Sequence, residues 1–429
     1  MIPRYNVPEM AFIWSEENRF KKFLDVELAL LQVLEDRNKI PKGVGQAFKS
    51  VKISPDRINE IESVTRHDVI AFCTSITEQV DPNHARFFHF GVTSSDILDT
   101  ALSLQIRDSI QFMIKDLRAL IQNISHKVDE TKNLLCMGRS HGMYAEPMVF
   151  AQKFLSFEME FKRRLTEYEL ALAQEVTGQI SGAVGNYTIL DPDLEGATLK
   201  LLGLPPEPVS SQVVPRDHLA KIIGIGAQVA TALERLAIEF RLLHHSDVSE
   251  VYEGFKKGQK GSSTMPHKKN PISSENISGL ARVVRSHYDI ALQNCVLWHE
   301  RDISHSSSER LMLPDHFGLL SYALRRMGDT VRDLVINREK VEGKVANNFA
   351  SLSSFILHEM VLLNSTTREE LYALVQEASF GAGSIDEFFS LIKGKCSEKG
   401  LKLPSGVNPM TLKNHYFERF EQVLKRARN

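Results

Sequence analysis

The sequence is short of the features that mark most specialised classes of protein. Its 429 residues include only four cysteines, Cys73, Cys136, Cys295 and Cys396. None forms a Cys-x-x-Cys pair and none has zinc spacing, which argues against a disulfide framework or a structural metal site. Neither sign of charge is in excess. Lys and Arg number 52 against 54 Asp and Glu, a net charge of −2, so no general basic field is available to hold nucleic acid. Long apolar runs are missing as well. The longest uncharged stretches, 176–190 and 345–358, are partly polar and too short to span a bilayer. The opening "MIPRYNVPEM" lacks the apolar run of a signal peptide. The expectation is a reducing, cytoplasmic compartment, with neither a membrane nor a nucleic acid as partner. Tandem repeats and low-complexity tracts are absent, and strand patterns are scarce.

Glycine and proline are both missing from 92–137. Within that stretch Leu98, Leu102, Ile106, Ile110, Met113, Leu117, Ile121, Ile124 and Val128 recur at steps of three and four, the period of an amphipathic helix. Ser94 or Ser95 suits its cap. A second helical segment is expected from Pro147 to about Thr177, a third over 218–246 and a fourth from Ser273 to Glu300. A fifth is expected from Pro314, read as an N1 proline, to Glu342. The first half of the third is apolar nearly all round, so it must be buried on every side, and subunits sharing one core would do that. Such segments far exceed the usual helix of about 11–12 residues and fit a long bundle. The organisation expected is all-α, in three helical domains. These are an N-terminal domain over 1–92, a central bundle of five long helices over 93–363, and a C-terminal domain over 364–429 that opens on the capped start "NSTTREELYALVQ".

One stretch interrupts the helices. "KGQKGSSTMPHKKNP", residues 257–271, is polar, cationic and glycine-rich. A nucleotide P-loop would need Gly, four residues, then Gly-Lys-Ser/Thr; counting from Gly254 or Gly258 puts Gln259 or Ser263 where the second glycine belongs. The alternative is a lid that binds an anion. Gly258 and Gly261 allow close backbone approach. Ser262, Ser263 and Asn270 offer neutral hydrogen bonds, and Lys268 offers a point charge to a carboxylate. Composition alone favours a solvated, lysine-rich surface loop.

The order of residues goes further. Gly261, Ser262, Ser263, Met265, Pro266, Lys268, Asn270 and Glu275 resemble the signature of the fumarase/aspartase superfamily. Within it, the Arg4-Tyr5 start, "TRHDVIAF" (65–72), "HFGVTSSDILDTALS" (89–103), "GRSHGMYAEP" (138–147) and "RDISHSSSER" (301–310) resemble the blocks of the adenylosuccinate lyases. The resemblance covers nearly the whole chain, more loosely after about 340. Lys269 stands where that family often has Arg, Ser308 where valine is common, and 345–360 lacks glycines expected there.

The resemblance implies a homotetramer with shared sites, nucleotide substrates and release of fumarate by β-elimination. That reaction removes a proton next to a carboxylate and expels an amine nitrogen. It needs an acid, a base, and cations or N–H donors around the carboxylates, but no metal or redox cofactor. By the resemblance His141 is the acid, expected at a loop-to-helix junction, and Glu275 is its orienting partner from another subunit. Ser262 is the base, with Ser263 next in line. A serine hydroxyl is a weak acid, so backbone N–H groups and Lys268 must lower its pKa. The same resemblance gives nucleotide contacts to His67, Asp68 and Val69. It gives carboxylate or phosphate contacts to His89, Thr93 and Ser94, and the phosphate grip to Arg4 and Tyr5. Gln212, Lys269, Asn270, Asn276, Arg301, Ser306 and Arg310 complete the substrate contacts. Competing readings are another fumarate-releasing lyase of the superfamily, such as one resembling argininosuccinate lyase, and an inactive structural bundle.

Overall fold

The computed structural model describes residues 2–255, 258, 264–405 and 409–429. A 3-10 turn, Pro3–Tyr5, leads into α1 (Pro8–Ile13), α2 (Glu16–Asp36), α3 (Val44–Ala47), α4 (Pro55–Thr65), α5 (Asp68–Thr77) and α6 (Pro82–Ala85). The long helix α7 (Ser94–Thr131) is followed by strands β1 (Leu135–Ser140) and β2 (Met143–Val149). Then come α8 (Ala151–Gln174), α9 (Pro192–Leu202), α10 (Arg216–His244), β3 (Val251–Tyr252), α11 (Ile272–Gln293), α12 (Ser304–Arg332) and β4 (Val335–Ile336). The chain closes with α13 (Arg338–Ala346), α14 (Ser353–Leu363), α15 (Arg368–Gly381), α16 (Ile385–Glu398) and α17 (Pro409–Arg428). The class is all-α. The capped start near residue 364 is present, since Thr367 accepts from the Glu370 N–H at the head of α15.

Two compact units emerge, one made of 1–120, 161–235 and 275–327, the other of 121–160, 236–274 and 328–429. The first is built on α10 and α12. In α10, Ile222, Ile223, Val229 and Leu233 are all but sealed from solvent, and in α12 so are Phe317, Leu320, Leu324 and Met327. An aromatic cluster fixes α2 against α5: Phe20 stacks on Phe72 at 6.1 Å, and Phe23 meets Phe72 edge-on at 5.4 Å. The second unit has its own core of Ile356, Met360, Leu371, Leu374, Phe388 and Ile392 from α14, α15 and α16.

Four expectations need correction. The first long helix stops at Thr131, and 135–149 is an antiparallel hairpin. The apolar run Leu134–Met137 suits either structure, so periodicity alone could not end the helix. The fourth helix ends at Gln293, short of Glu300. The fifth begins at Ser304 and ends at Arg332, which puts Pro314 inside it. Proline there, the eleventh residue of the helix, removes the N–H that would bond the carbonyl of residue 310 and crowds that carbonyl, which favours a local kink. Finally, the first half of α10 needs no partner to bury it, since its own chain covers all but a polar stripe of Asp217, Lys221, Gln228, Thr231 and Arg235; the second half leaves Ile238 and Leu242 exposed.

Candidate functional site

In the first unit the sequence blocks converge. His67 caps α5, its Nδ1 accepting from the Ile70 N–H at 3.3 Å. In a neutral ring the proton is then on Nε2, which lies 3.5 Å from Ser94 Oγ at the head of α7. Asp68 accepts from the Val69 N–H through Oδ1 and from Arg310 Nη2 at 2.5 Å through Oδ2. Val69 is buried in the core. His89 has a left-handed backbone, φ 61°. Its N–H and Nδ1 both engage the fully buried Glu27 carboxylate, at 3.1 and 2.7 Å. Burial lowers the pKa of that imidazole, but the hydrogen bond and charge of Glu27 outweigh it and leave the ring raised.

Arg301, Ser306 and Arg310 line one cavity of about 330 Å³ together with Arg19, Ser95, Leu98 and His305. Arg301 Nη1 donates to Gln212 Oε1 at 2.9 Å, while Gln212 Nε2 donates to the Ala183 carbonyl. Tyr5 is held by its neighbours. Its hydroxyl lies 3.4 Å from Asn276 Nδ2 and its ring packs 5.1 Å from Tyr322. Arg4 is exposed in the adjoining 3-10 turn. The unusual Ser308 has a local role, donating to Asn294 Oδ1 at 2.9 Å beyond the end of α11.

Several supporting residues escaped the sequence reading. Asp96 accepts from the N–H groups of Thr93, Ser181 and Gly182 at 2.8, 2.9 and 3.2 Å. Burial pushes its carboxyl up to about 6 against the pull of those donors. The Thr93-x-x-Asp96 spacing is a capping pattern and was the available signal. Arg19 is half-buried, and its pKa is lowered by burial and then by Arg310. In the cavity wall Arg216 bridges Asp99, at 2.7 and 3.0 Å, and Glu309, at 2.8 Å. Burial, with the Arg216 charge, drops the His305 imidazole to about 4, so it is neutral at neutral pH. No motif marked these three-way contacts, because their partners are 93 to 117 residues apart.

The second unit carries His141. It lies not at a loop-to-helix junction but in the two-residue turn of the β1–β2 hairpin. His141 has φ 53° and Gly142 φ 79°, the left-handed pair that a tight hairpin turn demands. Gly138 sits at the register shift, where a Cβ would come 2.9 Å from the Glu146 carbonyl oxygen. The hairpin is tied down by Arg139, which pairs with the buried Glu250 and lies over the Tyr144 ring at 5.0 Å. Lys344 Nζ joins Glu250 at 2.9 Å. Burial alone would raise the Glu250 carboxyl; the two cations hold it below the usual range. Lys268 and Lys269 are exposed, and the Lys269 carbonyl accepts from His244 Nε2 at 2.9 Å. Glu253 caps α11 by accepting from the Ser273 and Ser274 N–H groups at 3.0 and 2.8 Å. Ser262 and Ser263 lie outside the described residues. His141 belongs to the second unit, while Glu275 stands in the first turn of α11, in the first unit.

The first unit thus offers guanidinium groups, N–H donors and hydroxyls around a cavity of nucleotide size, and the second an exposed imidazole on a rigid turn. The pattern of the family described as Lyase matches residues 4–286. The adenylosuccinate lyase of Streptococcus mutans is 42% identical over 377 residues, 88% of this chain and 87% of that protein. That of Thermotoga maritima is 40% identical over 394 residues, 91% and 90% of the two chains. The 3-carboxy-cis,cis-muconate lactonizing enzyme of Pseudomonas putida superposes with a TM-score of 0.83 over 99% of this chain and 98% of its own. At 20% identity that likeness is one of fold. Identity of this level along nine-tenths of both chains settles membership: the chain belongs to the adenylosuccinate lyase family.

Proposed function

We propose that the protein cleaves adenylosuccinate to AMP and fumarate, and the succinylated aminoimidazole carboxamide ribotide in the same way. The observation that carries the reading is the cavity of Arg301, Ser306 and Arg310, with Arg310 tied to Asp68 of the nucleotide block. Arg4 and Tyr5 grip the phosphate. His67, Asp68, Val69, His89, Thr93, Ser94, Gln212, Ser263, Lys269, Asn270 and Asn276 make the remaining substrate contacts. Ser262 takes a proton from the methylene next to the carbon that carries the leaving nitrogen, and the electron pair spreads into the carboxylate on that methylene as an aci-carboxylate. Lys268 and N–H donors stabilise that charge. His141, oriented by Glu275 of another subunit, protonates the nitrogen as the C–N bond breaks and the new double bond of fumarate forms.

Shared sites imply a homotetramer. Support for a covering partner comes from Leu292, Val296, Trp298, Ile303 and Leu311, which one chain leaves exposed; Val296, Trp298 and Leu311 are each about three-quarters exposed. Among the described residues no helix is long and apolar enough to cross a membrane. The test of function is a spectrophotometric assay of fumarate release from adenylosuccinate. Exhaustive chelation should leave that rate undiminished. A large loss restored by a single divalent ion would overturn the metal-free mechanism, and no release from either purine substrate would overturn the reading itself.

A further inference from the structure

Glu27 in α2, Cys73 in α5 and His89 in the loop before α7 bring a carboxylate oxygen, a thiol sulfur and a ring nitrogen within 4.8 Å of one another. We propose that these three side chains form a binding site for a thiophilic divalent cation of the Zn2+ class, and that filling it inhibits the enzyme by engaging His89. The second half rests on the substrate contact given to His89 in the proposed function; the site itself does not.

The donor chemistry selects the ion. Sulfur, nitrogen and one oxygen suit Zn2+, Co2+ or Cd2+, whereas Mg2+ and Ca2+ demand oxygen-rich shells. Zinc–ligand bonds of about 2.0–2.3 Å in a tetrahedron put neighbouring donors about 3.3–3.8 Å apart. The observed spread therefore closes with side-chain shifts of about 1 Å or less. Glu27 is wholly buried, and its carboxylate lies beside the Cys73 thiol and the His89 ring. A divalent ion between them would balance one carboxylate and one thiolate, leaving the imidazole neutral. Entry is open on one side, since the His89 side chain keeps a quarter of its surface in solvent, and water can fill the fourth position. On binding, the thiol proton leaves to solvent, sulfur bonds the metal, and the ligating ring nitrogen gives up any proton it carries. His89 is then fixed on the metal and withdrawn from substrate. The competing account is that Cys73 is a small apolar filler of α5.

The test uses the full-length enzyme freed of metal. Co2+ is added and the thiolate-to-Co2+ charge-transfer band in the near ultraviolet is recorded. Tight Zn2+ equivalents are counted against a chromophoric chelator, and fumarate release is followed as Zn2+ is raised. Cys73→Ser, Cys73→Ala and, for the exposed Cys295, Cys295→Ser are compared, with circular dichroism to confirm folding. The expected result is one tight equivalent and a band in the wild type and in Cys295→Ser, both lost in either Cys73 variant. Half-inhibition of the Cys73 variants should need at least about tenfold more Zn2+. No band in the wild type, or a band that survives in a folded Cys73 variant, overturns the site. Equal inhibition of wild type and Cys73→Ser overturns the link to His89. Should the enzyme fail to turn over adenylosuccinate at all, the proposed function falls, while the band still decides the site.

Discussion

Asp96 divides two carboxylate oxygens among three backbone N–H groups, from Thr93, Ser181 and Gly182. An amide in its place has one acceptor, so Asp96→Asn leaves at least one buried donor unpaired. The expected cost is about 1–3 kcal/mol of stability, read as a lower Tm. The substitution also frees the backbone that presents Thr93 and Ser94, so KM should rise more than kcat falls. Its pKa is raised when folded, so the stability this group adds is full below its ordinary 3.8 and lost as pH rises through about 6. Asn cannot titrate and should flatten the stability profile across that window. An unchanged KM with a normal Tm would show that Asp96 positions nothing. The reacting residues behave differently. Ser262→Ala removes a proton acceptor and should lower kcat by orders of magnitude while substrate still binds. Arg4→Ala should mainly weaken binding, because phosphate charge does not change in the reaction. Near-normal kcat in Ser262→Ala, with loss in Ser263→Ala, would move the base by one residue.

At the scale of elements, α12 holds two histidines that burial keeps neutral, His305 near 4 and His316 near 3. Both folded values lie below the unfolded 6.5. Their neutral form is therefore fully tolerated above about pH 6.5, and stability falls as pH drops from there toward the folded values. Each should cost about 2 kcal/mol between pH 6.5 and 5. Urea midpoints at pH 7.5, 6 and 5 should fall less steeply for His316→Leu than for the wild type; parallel slopes would refute the assignment. Helix periodicity made such elements legible. Ile110, Met113, Leu117, Ile124 and Val128 are indeed the buried face of α7. What periodicity could not supply is tertiary contact. Gly226 of α10 reads as a weak point in a helix, yet a Cβ there would meet His316 Nε2 at 2.1 Å, so the glycine is a packing requirement. The hairpin bearing His141 was illegible for a related reason. Its strands are short, and Arg139 is held by Glu250, 111 residues away. Motif blocks supplied most of the candidate residues, but not the roles of Asp96, Arg19 or Arg216, which depend in part on partners remote in sequence.

For the whole molecule the question is where one complete site comes from. The first half of α10 no longer argues for shared cores, since its own chain covers all but a polar stripe there, whereas Ile238 and Leu242 of its second half stay exposed. The argument for assembly now rests on the exposed Val296, Trp298 and Leu311. If each site draws on several chains, two inactive variants can repair each other. His141→Ala and Ser262→Ala tetramers, denatured and refolded together, should contain some sites that inherit an intact His141 from one chain and an intact Ser262 from another. With equal mixing and those two residues supplied by different chains, about a quarter of sites should be intact by random assortment. Recovered activity approaching that fraction, with light scattering giving the mass of a tetramer, would support shared sites. Refolding each variant alone should recover nothing, which separates complementation from residual activity. Mixed tetramers that form, as shown by subunit exchange between tagged chains, yet stay inactive would place both residues in one chain's site.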